Sequence, residues 1–232
     1  QEELLKEIKK TGKPMIVVLI AGKPLAMPWV KENADAVLVQ WYAGEQQGCT
    51  LADILLGKVN PSGKLNVSFP RSTGNTPCFY NHFVTDREEP FDQPGTPEEP
   101  KGHYIFDKPE PLWNFGHGKS YTTFDYVDCA LSDTLKVSVM IKNTGRCDGK
   151  EVVQLYVRDK VSTVATPIQQ LKAFQKVLIK PGESQCVELS LPIAELALYN
   201  AKMEEVVEPG DFEIQIGAAS DDIRFKKTIT IN

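Results

Sequence analysis

Hydrophobic positions along the first 70 residues recur at helical and at strand spacing in turn. Leu4, Leu5 and Ile8 share one face of a predicted helix, and the continuous apolar run Met15–Ile20 is typical of a strand buried on both faces. The predicted elements of this part are helix 3–11, strand 15–20, helix 26–32, strand 36–40, helix 48–56 and an edge strand at 65–69. Strands that alternate with helices indicate a parallel α/β sheet.

This α/β part has too few elements to cover its own sheet. Two or three strands with three helices cannot cover both faces of a parallel sheet, whose strands are normally buried on both sides. We therefore expect the missing cover to lie upstream of Gln1, and the chain to be a fragment of a larger protein.

From residue 121 the pattern changes to short strands separated by turn signals. Leu135, Val137, Val139 and Ile141 alternate with polar residues and so share one face of a strand. Strands are predicted at 135–141, 152–157, 173–179, 185–191, 211–217 and 224–231, with a helical turn at 192–199. About seven strands in about 110 residues indicate an antiparallel sandwich.

The residues between these parts predict a connector. Residues 86–101 contain four prolines and six acidic residues against two basic ones. Prolines lack a backbone donor and like charges repel, so this stretch is predicted to be a loop. A solvated connector is the favoured interpretation, and a lid over a binding site is the alternative. The predicted domains are 1–71, an extended connector at 72–120, and 121–232.

Composition excludes some partners and changes little else. The formal net charge of -5 argues against nucleic acid, which rewards basic surfaces, whereas a neutral sugar needs no strong field. The longest apolar run, Met15–Ala21, is too short to span a bilayer. We therefore predict no nucleic-acid partner and no membrane segment.

The residues that most often bind metals are scattered. The cysteines are widely spaced, without a C-x-x-C pair, and all five are predicted to be reduced: Cys49, Cys78, Cys129, Cys147 and Cys186. His82, His103 and His117 have no partner at metal-ligand spacing, and His117 lies between two glycines, which predicts a tight turn. We predict neither a metal site nor a cofactor.

Two familiar catalytic motifs are incomplete or missing. Gly118-Lys119-Ser120 resembles the end of a phosphate-binding loop, but the glycine required five residues earlier is Trp113. We therefore interpret these residues as a turn. The G-x-S-x-G elbow of α/β-hydrolases does not occur in the sequence.

The segment after the second predicted strand holds the remaining chemical candidates. Ligands bind at the carboxyl ends of strands in open α/β sheets, so Glu45 is a candidate acid or base. The alternative, which we favour, is that Glu45 caps the following helix. Trp41 and Tyr42 could stack on a sugar ring, although an aromatic residue that leaves a buried strand is more often part of the core.

Several stretches, in a fixed order, resemble glycoside hydrolase family 3. They are Trp41-Tyr-Ala-Gly-Glu-Gln-Gln-Gly48, Ala52-Asp-Ile-Leu-Leu-Gly57, Asn60-Pro-Ser-Gly-Lys-Leu65 and Phe69-Pro70, then Pro111-Leu-Trp-Asn-Phe-Gly-His-Gly-Lys-Ser-Tyr-Thr-Thr-Phe124. Further stretches are similar to the fibronectin type III-like domain that ends many members: Asn143-Thr-Gly145, Gly149-Lys-Glu-Val-Val-Gln-Leu-Tyr156, Leu171-Lys-Ala-Phe174 and Glu208-Pro-Gly-Asp-Phe-Glu213.

Two positions depart from the family pattern. Gln46 stands where the family's G-x-E-G-G motif has glutamate, with Glu45 one residue early, and Lys119 replaces the usual leucine. The resemblance implies a retaining, exo-acting β-glucosidase or β-xylosidase that acts on β-linked glucosides or oligosaccharides. It also suggests a periplasmic or secreted protein.

The resemblance places both catalytic groups outside this chain. It implies an aspartate nucleophile on an N-terminal TIM barrel and a glutamate acid/base upstream of the first helix. We therefore assign no catalytic and no substrate-binding residue. The expected fold is a partial parallel α/β sandwich layer followed by a fibronectin type III-like sandwich. The alternative function is a carbohydrate-binding or purely structural accessory module.

The segment Pro111–Phe124 is rich in large apolar side chains for a turn-rich stretch. A linker between domains is normally polar and exposed, and this segment departs from that composition. We therefore predict that its large side chains are buried and hold the α/β layer against the sandwich. They are Leu112, Trp113, Phe115, Tyr121 and Phe124.

Overall fold

A computed structural model describes residues 1–83, 96–98 and 110–232. The described residues form two compact units. The first unit comprises Gln1–Val59, Val67–Cys78, 96–98 and 110–113, and the second comprises Asn60–Asn66, 79–83 and Asn114–Asn232. Among the described helices, none is long and apolar enough to cross a membrane.

The first unit is the predicted alternation of helices and parallel strands. Its elements are α1 (Glu2–Lys9), β1 (Ile16–Leu19), α2 (Pro28–Asn33), β2 (Ala36–Val39) and α3 (Gln47–Leu55). β1 and β2 pair in parallel, with Ile16 opposite Ala36 and Leu19 opposite Val39. This arrangement confirms the α/β prediction, and it brings the carboxyl ends of both strands to one edge.

Both strands are only partly buried within this chain, as is expected of a sheet that lacks part of its cover, and Ile16 is 53% exposed. One expectation for this unit is wrong. Residues 65–69 do not form an edge strand. Phe69 alone makes an isolated bridge, in which its amide donates to the carbonyl of Trp113 at 2.8 Å.

Phe69 is the centre of the first unit's aromatic packing. Its side chain is fully buried, and its ring lies 5.9 Å from that of Trp41 and 5.8 Å from that of Trp113. Lys31 lies over the Trp113 ring at 5.7 Å and donates to the carbonyl of Leu112. Phe69, which the sequence predicts to lie in an edge strand, is therefore a core residue of the first unit.

The second unit is an antiparallel sandwich. Its strands are β3 (Phe124–Leu131), β4 (Lys136–Asn143), β5 (Gly149–Asp159), β6 (Gln170–Ile179), β7 (Ser184–Ser190), β8 (Leu198–Tyr199), β9 (Glu205–Val206), β10 (Gly210–Ala219) and β11 (Asp222–Ile231). One sheet has four strands in the order β11-β10-β5-β6, and the other has three in the order β3-β4-β7. β8 and β9 form a separate hairpin.

Alternation along the strands builds the core between the two sheets. Val137, Val139 and Ile141 of β4 are fully buried, while Lys136 and Lys142 face solvent. They pack with Ile214 of β10 and other apolar residues of both sheets. The predicted sandwich is confirmed, and the predicted helical turn is a short 3-10 helix at Ile193–Leu196. β3 and the β8–β9 hairpin are additional to the predicted ranges.

β5 is buried on both faces along most of its length. Val153 and Leu155 belong to the core between the sheets. On the opposite face, Gln154 donates to the carbonyl of Gly116 at 3.4 Å, and the Tyr156 ring lies 5.9 Å from that of Tyr80. Segments 60–66, 79–83 and 114–118 therefore supply contacts on the outer face of the four-stranded sheet.

The aromatic segment Pro111–Phe124 is divided between the two units. Trp113 packs on Phe69 in the first unit, whereas Phe115 stacks on Tyr80 in the second, with ring centroids 4.1 Å apart. Tyr121 is 51% exposed, so its predicted burial is wrong. That this segment holds the α/β layer against the sandwich stays a prediction.

Candidate functional site

The carboxyl edge of the parallel strands carries one polar and two aromatic side chains. Gln40 directly follows β2, and its side-chain nitrogen donates to the carbonyl of Gln47 at 2.7 Å, which closes the loop. The side-chain oxygen of Gln40 is buried and accepts no hydrogen bond from any residue that the structure describes. Tyr42 is 75% exposed. Gln40, Trp41 and Tyr42 begin the carboxyl-edge loop, which comprises residues 40–47.

The backbone of Trp41, within this loop, has a strained conformation. Its φ is +52°, in the left-handed region that bulky side chains rarely adopt. Such strain persists only where packing over-determines the geometry, and it is frequent in ligand sites. The contact between the rings of Trp41 and Phe69 supplies that packing here. Trp41 is therefore half-buried against Phe69, and the exposed aromatic side chain of this loop is Tyr42.

Glu45 is not a helix cap. α3 begins at Gln47 with Gln46 at its N-cap, and no side chain of the described residues makes a capping hydrogen bond there. Glu45 itself is exposed. The cap that we favoured from the sequence is therefore wrong, and the acid/base alternative requires a functional test.

A buried ion pair in the second unit is the main polar cluster that the sequence did not reveal. Lys64 Nζ lies 3.1 Å from Glu151 Oε1, and the two side chains are 14% and 6% exposed. Lys64 also donates to the carbonyl of Gly118, and the hydroxyl of Tyr126 donates to Glu151 at 3.2 Å. The carboxylate is thus paired with a cation and accepts a second hydrogen bond.

Burial controls the protonation of this cluster. It raises the pKa of Glu151 above its ordinary value of 4.5, although Lys64 and the Tyr126 hydroxyl act in the opposite direction. Burial also raises the pKa of Tyr126, and the neighbouring Glu151 charge adds to that shift. Shifted carboxyl groups are common at active sites, but structural ion pairs produce them too. The complete pairing of Glu151 favours the structural interpretation.

Asn60, the first residue of the Asn-Pro-Ser-Gly stretch, joins the same unit. Its side-chain oxygen accepts from the Ser120 hydroxyl at 2.9 Å and from the Tyr121 amide at 2.8 Å. Its side-chain nitrogen donates to the carbonyl of Asp148 at 2.9 Å. Strand β3 follows Ser120 where a phosphate-binding loop would need a helix. The hydroxyl of Ser120 therefore has a structural role.

The histidines and acidic residues do not gather into a metal site in the described part of the chain. Among those residues, no group of three histidine, cysteine or acidic side chains could hold an ion. The His82 ring nitrogen lies 3.0 Å from the carbonyl of Phe83. The amide of His117 donates to the carbonyl of Asn114, which confirms the predicted turn. His103 lies outside the described residues.

Two domain families match the chain. Residues 1–121 match the glycosyl hydrolase family 3 C-terminal domain, and residues 151–220 match the fibronectin type III-like domain. These matches agree with the α/β unit and the antiparallel sandwich seen in the structure.

The similar proteins are much longer enzymes. A β-xylosidase of Formosa agariphila is 42% identical over 97% of this chain and 31% of its own length. A periplasmic β-glucosidase of Salmonella typhimurium is 40% identical over 95% of this chain and 29% of its own length. A mutant β-glucosidase of Listeria innocua, solved in complex with laminaribiose, superimposes with a TM-score of 0.91 at 36% identity, covering 99% of this chain and 32% of that one. The chain thus spans about a third of the relatives that it matches.

Proposed function

Because the chain belongs to glycoside hydrolase family 3, we propose that it is the non-catalytic C-terminal portion of a retaining, exo-acting β-glycosidase. The complete enzyme would be of the β-glucosidase type and would remove terminal non-reducing β-D-glycosyl residues. One observation carries the proposal: almost the entire chain aligns with about a third of each enzyme. Retaining hydrolysis needs two carboxyl groups about 5 Å apart, and we expect both to lie in the remaining two thirds of the enzyme.

The contacts of the chain support a structural contribution to that enzyme. The family-like stretches Asn60–Leu65 and Pro111–Phe124 use their polar groups within the fold. Asn60 and Lys64 bond to the backbone around residues 118–121 and 148. The substrates would be β-linked glucosides, and the partner would be the barrel and the rest of the α/β domain that such enzymes carry.

A carbohydrate-binding module is the second candidate function for the sandwich. Such modules commonly present several exposed aromatic rings to a ligand. Phe174 and Tyr199 are exposed in the described strands, but they lie in different sheets, on β6 and β8. This separation favours the enzyme-portion proposal over a binding role for the sandwich.

A chimera tests the proposed function. This chain would replace the segment that it matches in the Salmonella β-glucosidase, and hydrolysis of p-nitrophenyl β-glucoside and laminaribiose would be measured. We expect the chimera to hydrolyse both, because it regains the two carboxyl groups. The isolated chain should hydrolyse neither above the buffer rate. Metal-independent turnover by the isolated chain, in proportion to its concentration, would contradict the proposal, as would an inactive but correctly folded chimera.

The same chimera tests the remaining role of Glu45. Removing a general acid or base typically costs about 10²–10⁴-fold in rate. Since we place both catalytic carboxyl groups outside the chain, Glu45→Gln should change kcat of the chimera by less than about threefold, well below that range. A loss of a hundredfold or more would instead make Glu45 a catalytic residue.

A further inference from the structure

We propose that Tyr42, supported by Gly22, is an aromatic platform on which a glucosyl unit of a β-linked glucoside stacks. The inference rests on the proposed function, since the substrates of the complete enzyme would be β-linked glucosides. It assigns this chain a direct part in binding them. Tyr42 lies in the carboxyl-edge loop, where ligands bind in open α/β sheets.

The surroundings of the Tyr42 ring are those of a platform. The ring is 75% exposed within this chain. It also lies against Gly22, because a Cβ atom added at Gly22 would be 2.8 Å from Tyr42 Cε2 and 3.6 Å from Cδ2 and Cζ. Such a contact is closer than a real Cβ atom tolerates, so the absence of a side chain at Gly22 lets the ring rest there.

The loop that carries Tyr42 is held in place from within its own unit. The Gln40 side chain bonds to the carbonyl of Gln47, and Trp41 packs on the buried Phe69 despite its left-handed φ. A strained residue that neighbouring side chains hold in place is characteristic of a ligand site. The platform is thus preformed, which reduces the entropy lost when a ligand binds.

The chemistry of the loop favours a neutral, hydroxylated ring. An aromatic face accepts the apolar C–H face of a pyranose, and ligand sites combine such faces with a few polar groups. Residues 40–48 contain one carboxylate and no cation, which disfavours a phosphate or another anionic ligand.

Saturation-transfer difference NMR of the 232-residue chain with laminaribiose tests the platform. We expect transfer from the protein to the sugar, and about tenfold weaker binding in Tyr42→Ala, the size of one lost aromatic contact. Gly22→Ala should weaken binding similarly, because the added methyl group displaces the ring while the backbone stays unstrained. Tyr42→Phe keeps the ring face and should bind within about twofold of the original chain, since ring stacking supplies most of the contact.

The matched control is Tyr199→Ala, which removes an equally accessible tyrosine from the second unit and should leave binding unchanged. No transfer with the original chain would overturn the inference, as would unchanged binding in Tyr42→Ala or in Gly22→Ala. These failures differ from a failure of the proposed function. An active chimera with a chain that does not bind laminaribiose rejects the platform alone, whereas a chain that binds in an inactive chimera rejects the enzymatic role alone.

Discussion

Lys64→Met is expected to lower the stability of the second unit by about 3–5 kcal/mol, the usual cost of removing one partner from a buried ion pair. The loss arises because the Glu151 carboxylate, only 6% exposed, keeps its desolvation cost but loses its cation. Hydrogen exchange of the β5 and β10 amides, followed by mass spectrometry, reports the opening free energy of this unit directly. The change therefore appears as faster exchange in those strands.

Two further variants distinguish the loss of the Lys64 charge from the loss of its packing. Lys64→Met combined with Glu151→Met removes both charges and should recover most of the loss, since apolar replacement of a buried pair is often nearly neutral. Lys176→Met removes a lysine whose ammonium group lies 3.4 Å from the Ser62 hydroxyl at the surface, and it should change stability by less than about 0.5 kcal/mol. Equal losses in the single and double variants would show that packing of the Lys64 stem, not charge, is responsible.

The effect of Lys64→Met should also depend on pH. Burial holds the folded-state pKa of Glu151 above its ordinary value of 4.5, so the folded carboxyl group takes up its proton first as the pH falls. The ionised form therefore penalises folding at neutral pH, and this penalty disappears once the pH is below the unfolded value. Without Lys64 the penalty is larger. The stability difference between variant and original chain should thus be greatest at neutral pH, shrink as the pH falls towards the raised folded-state pKa of Glu151, and be lost by the time the pH reaches the ordinary value of 4.5.

Phe69→Ala is expected to lower the stability of the first unit by about 3–5 kcal/mol, the range for removing a fully buried phenylalanine side chain. The ring separates Trp41 from Trp113, so its loss leaves a cavity between two large side chains that cannot easily collapse. All three tryptophans, Trp29, Trp41 and Trp113, belong to this unit. Urea unfolding followed by tryptophan emission therefore measures this unit selectively.

The control for Phe69→Ala is Phe174→Ala, which removes a phenylalanine that is 67% exposed on β6. Its loss should leave the midpoint of the tryptophan transition unchanged. Phe69→Leu should fall between Phe69→Ala and the original chain, because leucine refills part of the cavity. If Phe69→Ala unfolds at the original urea concentration, Phe69 is not the centre of the first unit's core.

The local periodicity of hydrophobic residues predicted most of the secondary structure. Residues 135–141 alternate with period two, and the strand forms there because one face meets a core while the other meets water. The first helix ends at Lys9, shortly before the predicted end at residue 11, and Gly12 follows with φ +72°. β3 was missed because its alternation is weak: Val127 and Ala130 are exposed while Cys129 is buried.

The candidate site was only partly visible in the sequence. The carboxyl-edge loop could be located, since a strand end followed by a helix is a local pattern. Which aromatic side chain of that loop faces solvent could not, because Trp41 turns inward through a left-handed φ and packs on a residue 28 positions later in the chain. The apolar residues on both sides of Gln154 in β5 were a usable sign of burial on both faces.

By itself, the sequence determined the two-part architecture, the approximate element bounds and, through the order of its motifs, the family. These features depend on neighbours within a few residues or on spacing along the chain. Only the tertiary structure decided that residues 65–69 form no strand, that Glu45 caps no helix, and that Glu151 is buried against Lys64. Each of these outcomes depends on burial, on local backbone geometry or on partners tens of residues away, and hydrophobic patterning alone does not specify them.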